Sequence, residues 1–206
     1  MKIEHYVVGM VGTNCYFAIN EETKECLIID PGDYAKMLAG KISDSGYTPV
    51  AILLTHGHFD HIMGVEGLRG QFGIPVYVHE DDAQMLEDPS LNACAMIGTT
   101  VSLKADHTVK DGDILHLAGL EIQVLHTPGH TPGGACYYFP KEEVLFSGDT
   151  LFCESVGRTD LPGGSMSALI RSIKEKVFKL PDLTIVYTGH GEPTKIGDEK
   201  RYNPFI

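Results

Sequence analysis

The stretch AILLTHGHFDHIMG, Ala51 to Gly64, packs three histidines and an aspartate into six positions. Only 10 of the 206 residues are histidine, so the cluster is not background. His56 and His58 stand at i and i+2, a spacing that points both side chains to one side of an extended segment. Gly57 between them has no side chain, which would let the backbone crowd close to a bound ion. Asp60 and His61 follow where a helix is expected to begin and the chain turns back. Imidazole nitrogens and carboxylate oxygens are ordinary zinc ligands. A single histidine after a strand is ordinarily a hydrogen-bonded structural residue. Four ligand-type groups in one loop reverse that reading.

One loop seldom closes a metal site, and three more ligand-type residues stand at the ends of expected strands, each next to glycine. His130 sits in LHTPGHTPGG, between two stiff Pro/Gly turns. Asp149 sits in LFSGDTLF and His190 in VYTGHGEP. His56, His58, Asp60, His61, His130, Asp149 and His190 are too many for one tetrahedral ion and about right for two. In a two-metal site roughly 3.5–4 Å across, one carboxylate can touch both ions. Two divalent cations outweigh the aspartates and an ionised water, so the centre stays electrophilic. Such ions lower the pKa of bound water to about 7. A centre that is electrophilic and ionises water is suited to hydrolysis, and no GxSxG nucleophile motif is present.

The elements that must position these residues read as alternating strands and helices. Strands are expected over 3–8, 15–19, 25–30, 50–54 and 75–79, and helices over 33–45, 65–72 and 80–87. The stretch 88–105 reads as irregular. A hairpin is expected over 113–127 around Ala118-Gly119, then two strands around Pro140-Lys141, a helix over 165–179 and a last strand over 183–190. VAILL at 50–54 is an uninterrupted apolar run, as in a strand covered on both faces. The pattern is α/β, with helices on the outer faces of sheets, and no linker divides residues 1–206, so one domain is expected.

Composition narrows the partners. Net charge is −12, with 16 Lys+Arg against 28 Asp+Glu, so nucleic acid would be repelled. No run approaches the ~20 apolar residues of a membrane span. The five cysteines show no CxxC spacing, and the N-terminal MKIEHYVVGM lacks a signal-type apolar core. A soluble cytoplasmic protein acting on a small molecule is expected. His126 reads as structural rather than as support for His130. His5, His79, His107 and His116 read as structural or solvent-facing. One of Tyr137 and Tyr138 is expected to pack inward, and Thr55 to position its neighbours.

THGHFDH, PGHT, GDTLF and TGHG together resemble the metallo-β-lactamase superfamily, and within it the bacterial glyoxalase II-like (hydroxyacylglutathione hydrolase-like) hydrolases. The resemblance covers nearly the whole chain. It implies a four-layer αββα sandwich, with His56, His58 and His130 holding a first metal, Asp60, His61 and His190 a second, and Asp149 bridging. It implies two divalent ions, zinc by default, with iron or manganese taken by the same ligand types. The implied reaction is hydrolysis of S-lactoylglutathione or a related acyl-thiol, with Asp60 orienting the water that attacks the ester or thioester carbonyl and a thiolate leaving without a strong general acid. Asp149 stands apart from the cysteine that binds the second metal in one large group of β-lactamases. His58 stands apart from the glutamate of the flavodiiron relatives. SVGRTDLPGG, 155–164, is similar to a loop flanking the substrate pocket. Arg158 in it is a candidate anion contact, weighed against a surface ion pair. Cys153 and Glu154 stand where small residues are expected at the pocket rim. Only sixteen residues follow His190, so the C-terminal helical domain with which full glyoxalase II enzymes help bind glutathione is not expected, and glutathione as the thiol does not follow from the resemblance. Competing readings are a persulfide dioxygenase using mononuclear iron, a lactonase and, against the acidic charge, a nuclease. A non-catalytic member would be expected to have lost ligands, and all seven stand.

Overall fold

A computed structural model describes residues 1–206. The first half of the chain forms one six-stranded sheet in sequence order. Its strands are β1 (Lys2–Val8), β2 (Thr13–Ile19), β3 (Glu25–Ile29), β4 (Thr48–Leu53), β5 (Val76–His79) and β6 (His107–Val109). β1 to β3 pair antiparallel, and β3 to β6 pair parallel. The parallel pairs need crossovers. The helices α1 (Ala35–Ser45), α2 (Phe59–Ile62), α3 (Val65–Phe72) and α4 (Ala83–Glu87) lie in those connections.

The second half forms another six-stranded sheet. β7 (Ile114–Leu117), β8 (Leu120–His126), β9 (Ala135–Phe139) and β10 (Val144–Gly148) pair antiparallel. A small ribbon of β11 (Leu151–Phe152) and β12 (Ser155–Val156) and the helix α5 (Met166–Glu175) follow. β13 (Ile185–Thr188) then pairs parallel with β10, and β14 (Thr194–Lys195) closes the edge before helix α6 (Ile196–Tyr202).

Period-two alternation sorts the apolar residues into three cores. Tyr16, Leu27, Ile29 and Leu53 of the first sheet meet Val124, Tyr137, Phe139 and Phe146 of the second. The alternate residues Phe17, Ile28 and Ile52 pack under Leu38, Ile42, Val65 and Leu68 of α1 and α3. Tyr138, Leu145 and Val186 pack under Leu169, Ile173 and Ile196 of α5 and α6. Helix, sheet, sheet and helix are the four layers expected, the αββα arrangement of the metallo-β-lactamase fold.

The differences from the sequence reading are local. Tyr137 and Tyr138 are both buried, on opposite faces of β9, because that strand is covered on both sides. β6, β11, β12, β14 and α6 were not expected. β6 has three residues and β11, β12 and β14 two each, too short for a pattern, and α6 carries Gly197 in its first turn. The helix expected over 80–87 opens with a tight 3₁₀ turn at Glu80–Asp82. The helix expected from 33 begins at Ala35, because Tyr34 adopts a left-handed φ of 53°. No helix is long and apolar enough to cross a membrane.

Candidate metal centre

The seven ligand-type residues converge from the ends of strands in both sheets. His56 and His58 follow β4, Asp60 and His61 lie in the single turn of α2, and His130 lies between β8 and β9. Asp149 follows β10 and His190 follows β13. His58 is extended (φ −70°, ψ 151°) and caps α2, so the chain turns between the second and third histidines of the motif.

Two triads form. The ligand atoms of His56, His58 and His130 lie within 4.8 Å of one another, and so do those of Asp60, His61 and His190. Asp149 reaches both sets. Its Oδ1 is 3.4 Å from His61 Nε2, and its Oδ2 is 3.5 Å from Nε2 of His130 and of His190. Asp60 Oδ2 is 3.2 Å from His190 Nε2 and 3.5 Å from His61 Nε2.

The donor set fits divalent cations. Nε2 of His56, His58 and His61 and Oδ1 of Asp149 are buried without a hydrogen-bond partner. A buried polar atom left so costs roughly 1–3 kcal/mol, and the three on His56, His61 and Asp149, residues whose ligand atoms lie within 4.8 Å of one another, call for a shared ligand. His58 Nδ1 and His130 Nε2 are 2.9 Å apart, a separation that needs a proton or a cation between the two lone pairs.

Groups outside the seven fix how the imidazoles point. His61 Nδ1 donates to Asp30 Oδ2 at 2.9 Å, and His130 Nδ1 donates to the Arg158 carbonyl at 2.7 Å. Both leave Nε2 facing the cluster, the orienting device that metal-binding histidines use. Thr55 Oγ1 donates to Asp30 Oδ2 at 2.6 Å and lies 3.1 Å from His56 Nδ1, so it positions its neighbours as expected. Thr13 Oγ1 donates to Asp60 Oδ2 at 3.0 Å.

Asp82 holds two ligand loops together. Its Oδ2 accepts from Gly57 N at 3.0 Å and Thr131 Oγ1 at 2.8 Å, and its Oδ1 accepts from Gly133 N at 2.6 Å. Burial pushes its carboxyl above the ordinary value and outweighs those three bonds. Asp30 and Asp82 went unread in the sequence. Asp30 carried a usable signal, an aspartate closing the apolar run CLII as Asp149 closes VLFSG. Asp82 is one of several acidic residues in HEDD and carried none.

Charge states follow from the packing. Burial, then the neighbouring imidazoles, holds His56 well below its ordinary value and His58 at about 3. Both therefore keep lone pairs available. Burial opposes charging His61 and His190, but nearby carboxylates win. Asp60, Asp149 and Asp30 raise His61 well above the ordinary value, and Asp149 and Asp60 raise His190 to about 9. Burial also resists ionisation of Asp60 and Asp149. The charge on His61 overcomes it first, taking Asp60 to about 2 and Asp149 well below 3.8.

Two glycines make the approach possible. A Cβ on Gly32 would fall 1.7 Å from the Asp60 carbonyl oxygen. Gly148 has φ +49°, and a Cβ there would fall 2.2 Å from Thr55 Oγ1. A Cβ on Gly57 would meet Met85 of α4 at 3.0 Å, so its bareness also admits that helix.

The remaining expectations fall as follows. His126 stacks on His79 with centroids 3.9 Å apart and its Nε2 donates to the Pro132 carbonyl, while the ligand atoms of His79, Asp81 and His126 lie within 4.8 Å of one another, a second group apart from the seven. His5 bonds Asn14. Cys153 and Glu154 border a separate cavity of about 410 Å³ rather than the one at the ligand cluster. A cavity of about 560 Å³ opens onto His58, Asp60, His130, Asp149 and His190. Arg158 lines it, with its guanidinium engaged by Asp160.

A four-layer α/β sandwich with an all-histidine triad and an Asp/His triad at its strand ends defines a class of metal-centre proteins. Residues 8–190 match the model of the Metallo-beta-lactamase superfamily, and the chain belongs to that family. Among relatives, it is 41% identical to the "Probable metallo-hydrolase YqgX" of Bacillus subtilis, over 100% of this chain and 98% of that one. It is 36% identical to the "Hydroxyacylglutathione hydrolase GloC" of Haemophilus influenzae, again over 100% and 98%. Among solved structures, the BLEG-1 B3 metallo-beta-lactamase superposes with a TM-score of 0.95 at 44% identity, covering 99% of each chain. TTHA1623 in a di-iron-bound form superposes with a TM-score of 0.88 at 38% identity, covering 98% of this chain and 100% of that one.

Proposed function

We propose that this chain is a binuclear metal-dependent hydrolase of the glyoxalase II-like kind, cleaving S-lactoylglutathione or a related acyl-thiol. The observation that carries the reading is two ligand triads joined by Asp149 at the floor of a 560 Å³ cavity. His56, His58 and His130 would hold one ion, Asp60, His61 and His190 the other. Such ions, zinc by default and iron or manganese by the same ligand chemistry, supply ionised water at neutral pH and polarise a carbonyl. The resemblance to GloC favours a thioester, and the likeness to the di-iron TTHA1623 keeps iron among the metals to assay.

The chain's own residues do the rest. Asp60, ionised and fixed by Thr13, accepts a hydrogen bond from the attacking water and so aims it. Asp30 and the Arg158 carbonyl keep the Nε2 atoms of His61 and His130 turned inward. The leaving thiolate is stable enough that no strong general acid is required. Residues 1–206 act as one domain on a small molecule, without nucleic acid or membrane. All five cysteines are unpaired, which supports a reducing, cytoplasmic setting.

The test is hydrolysis of S-lactoylglutathione and simpler thioesters by protein loaded with zinc, iron or manganese, with and without chelator. Thioester cleavage that a chelator abolishes and metal restores is expected. Oxygen uptake with one iron per chain and no hydrolysis would instead establish a persulfide dioxygenase. Cleavage confined to lactones would establish a lactonase.

A further inference from the structure

We infer that the substrate carries an apolar, uncharged acyl group, and that Asp160 enforces this choice by neutralising Arg158. The inference rests on the thioesterase reading above and narrows it away from the hydroxyl-bearing lactoyl group toward the related acyl-thiols.

The floor of the 560 Å³ cavity is polar, but its walls are not. Val11, Met96, Ile97, Phe152, Val156 and Leu161 supply most of them. Met96 is 69% exposed and Val11 50%, large apolar side chains standing in water at the mouth of a reactive site. Met96 and Ile97 ride on a single 3₁₀ turn bracketed by Ala93 at φ 64° and Gly98 at φ 70°. Ala93, one of seven non-glycine residues at positive φ, is in a conformation that L residues rarely adopt.

The charge pattern agrees. Among the lining residues, Arg158 is the one cation besides the candidate ligand histidines, and no lysine takes part. Its Nε donates to Asp160 Oδ1 at 2.7 Å and its Nη2 to Oδ2 at 2.8 Å. That two-point fork is the geometry with which arginine grips a carboxylate. Asp160 holds two of the three guanidinium nitrogens, so an anionic acyl group would have to compete with it for Arg158, and would approach a chain of net charge −12. An apolar acyl chain meets no such opposition and buries against the walls.

The experiment uses the zinc-loaded protein and N-acetylcysteamine thioesters, whose thiol is small and neutral. Acetyl, butanoyl, hexanoyl and succinyl esters are compared. kcat/KM is expected to rise roughly two- to fourfold per methylene from acetyl to hexanoyl. The succinyl ester should fall at least about tenfold below butanoyl. Calorimetric binding of S-hexyl-N-acetylcysteamine and S-(3-carboxypropyl)-N-acetylcysteamine, thioethers that cannot turn over, should favour the neutral one. Asp160→Asn frees the guanidinium and should raise the succinyl-to-butanoyl ratio by roughly threefold or more. Met96→Gln, at an exposed site, should flatten the chain-length slope. A flat slope in the parent protein, an anionic ester cleaved as fast as its neutral counterpart, or equal binding of the two thioethers would overturn the inference. If no thioester is cleaved at all, the hydrolase reading fails, and the thioether binding still decides whether the cavity selects apolar groups.

Discussion

Replacing Asp82 by asparagine tests whether the two ligand loops are tied together by a residue that binds no metal. The carboxylate accepts from Gly57 N, Thr131 Oγ1 and Gly133 N. An asparagine can set its oxygen where Oδ2 was and keep the first two bonds. Its amide then lies where Oδ1 met Gly133 N at 2.6 Å, donor against donor. One buried N–H left unpaired costs roughly 1–3 kcal/mol. The neutral side chain also escapes the burial penalty that raises the Asp82 carboxyl, so the loss should sit toward the lower end. For a chain of this size each kcal/mol lowers Tm by about 2–4 °C, giving a fall of roughly 2–12 °C. Asp82→Ala leaves both backbone N–H groups unpaired and should lose about twice as much. The assay is thermal unfolding with chelator present, so that metal binding does not mask the change. Metal affinity, measured separately, should fall by about 10- to 100-fold. A Tm for Asp82→Asn within about 1 °C of the parent, or an alanine variant no worse than the asparagine one, would refute the reasoning.

Three further outcomes follow from the same geometry. Gly32→Ala drives a methyl into the Asp60 carbonyl and should destabilise the protein by at least about 1–3 kcal/mol while weakening metal binding, read by chelator-free melts and metal titration. Asp149→Ala removes the carboxylate shared by the triads and should lower metal content and activity together. Near-parental activity in that variant would rule out a shared site. Burial holds Cys26 at about 12, Cys136 at about 11 and Cys15 well above the ordinary value, so those thiols stay protonated at pH 8. A maleimide should then modify exposed Cys153 alone in the native protein and all five cysteines in denaturant, counted by intact mass.

The candidate site was legible because its chemistry is concentrated in a few residue types beside glycine at strand ends. HGHFDH, His130, Asp149 and His190 could be found one at a time, and their convergence follows from strands that all end on one side of a sandwich. The long strands and the main helices were legible for a related reason. β2, β3, β4, β9 and β10 are covered on both faces and read as apolar runs. What escaped depends on three-dimensional context. Asp82 is indistinguishable in sequence from the exposed acids beside it, and only the fold shows that it meets Gly57 and Gly133. That the bareness of Gly57 also makes room for Met85, 28 residues along the chain, is equally invisible in sequence. β6 and β14 are held by neighbouring strands rather than by any pattern of their own.

The central claim is that these seven side chains hold a pair of cations. Its most direct test is a zinc titration of chelator-treated protein against a chromophoric competitor, with bound metal counted by elemental analysis. Two equivalents per chain in the parent, and a loss that involves both when Asp149 becomes alanine, are the predicted result. One equivalent or none at saturation, or two that survive the loss of Asp149 unchanged, would contradict it.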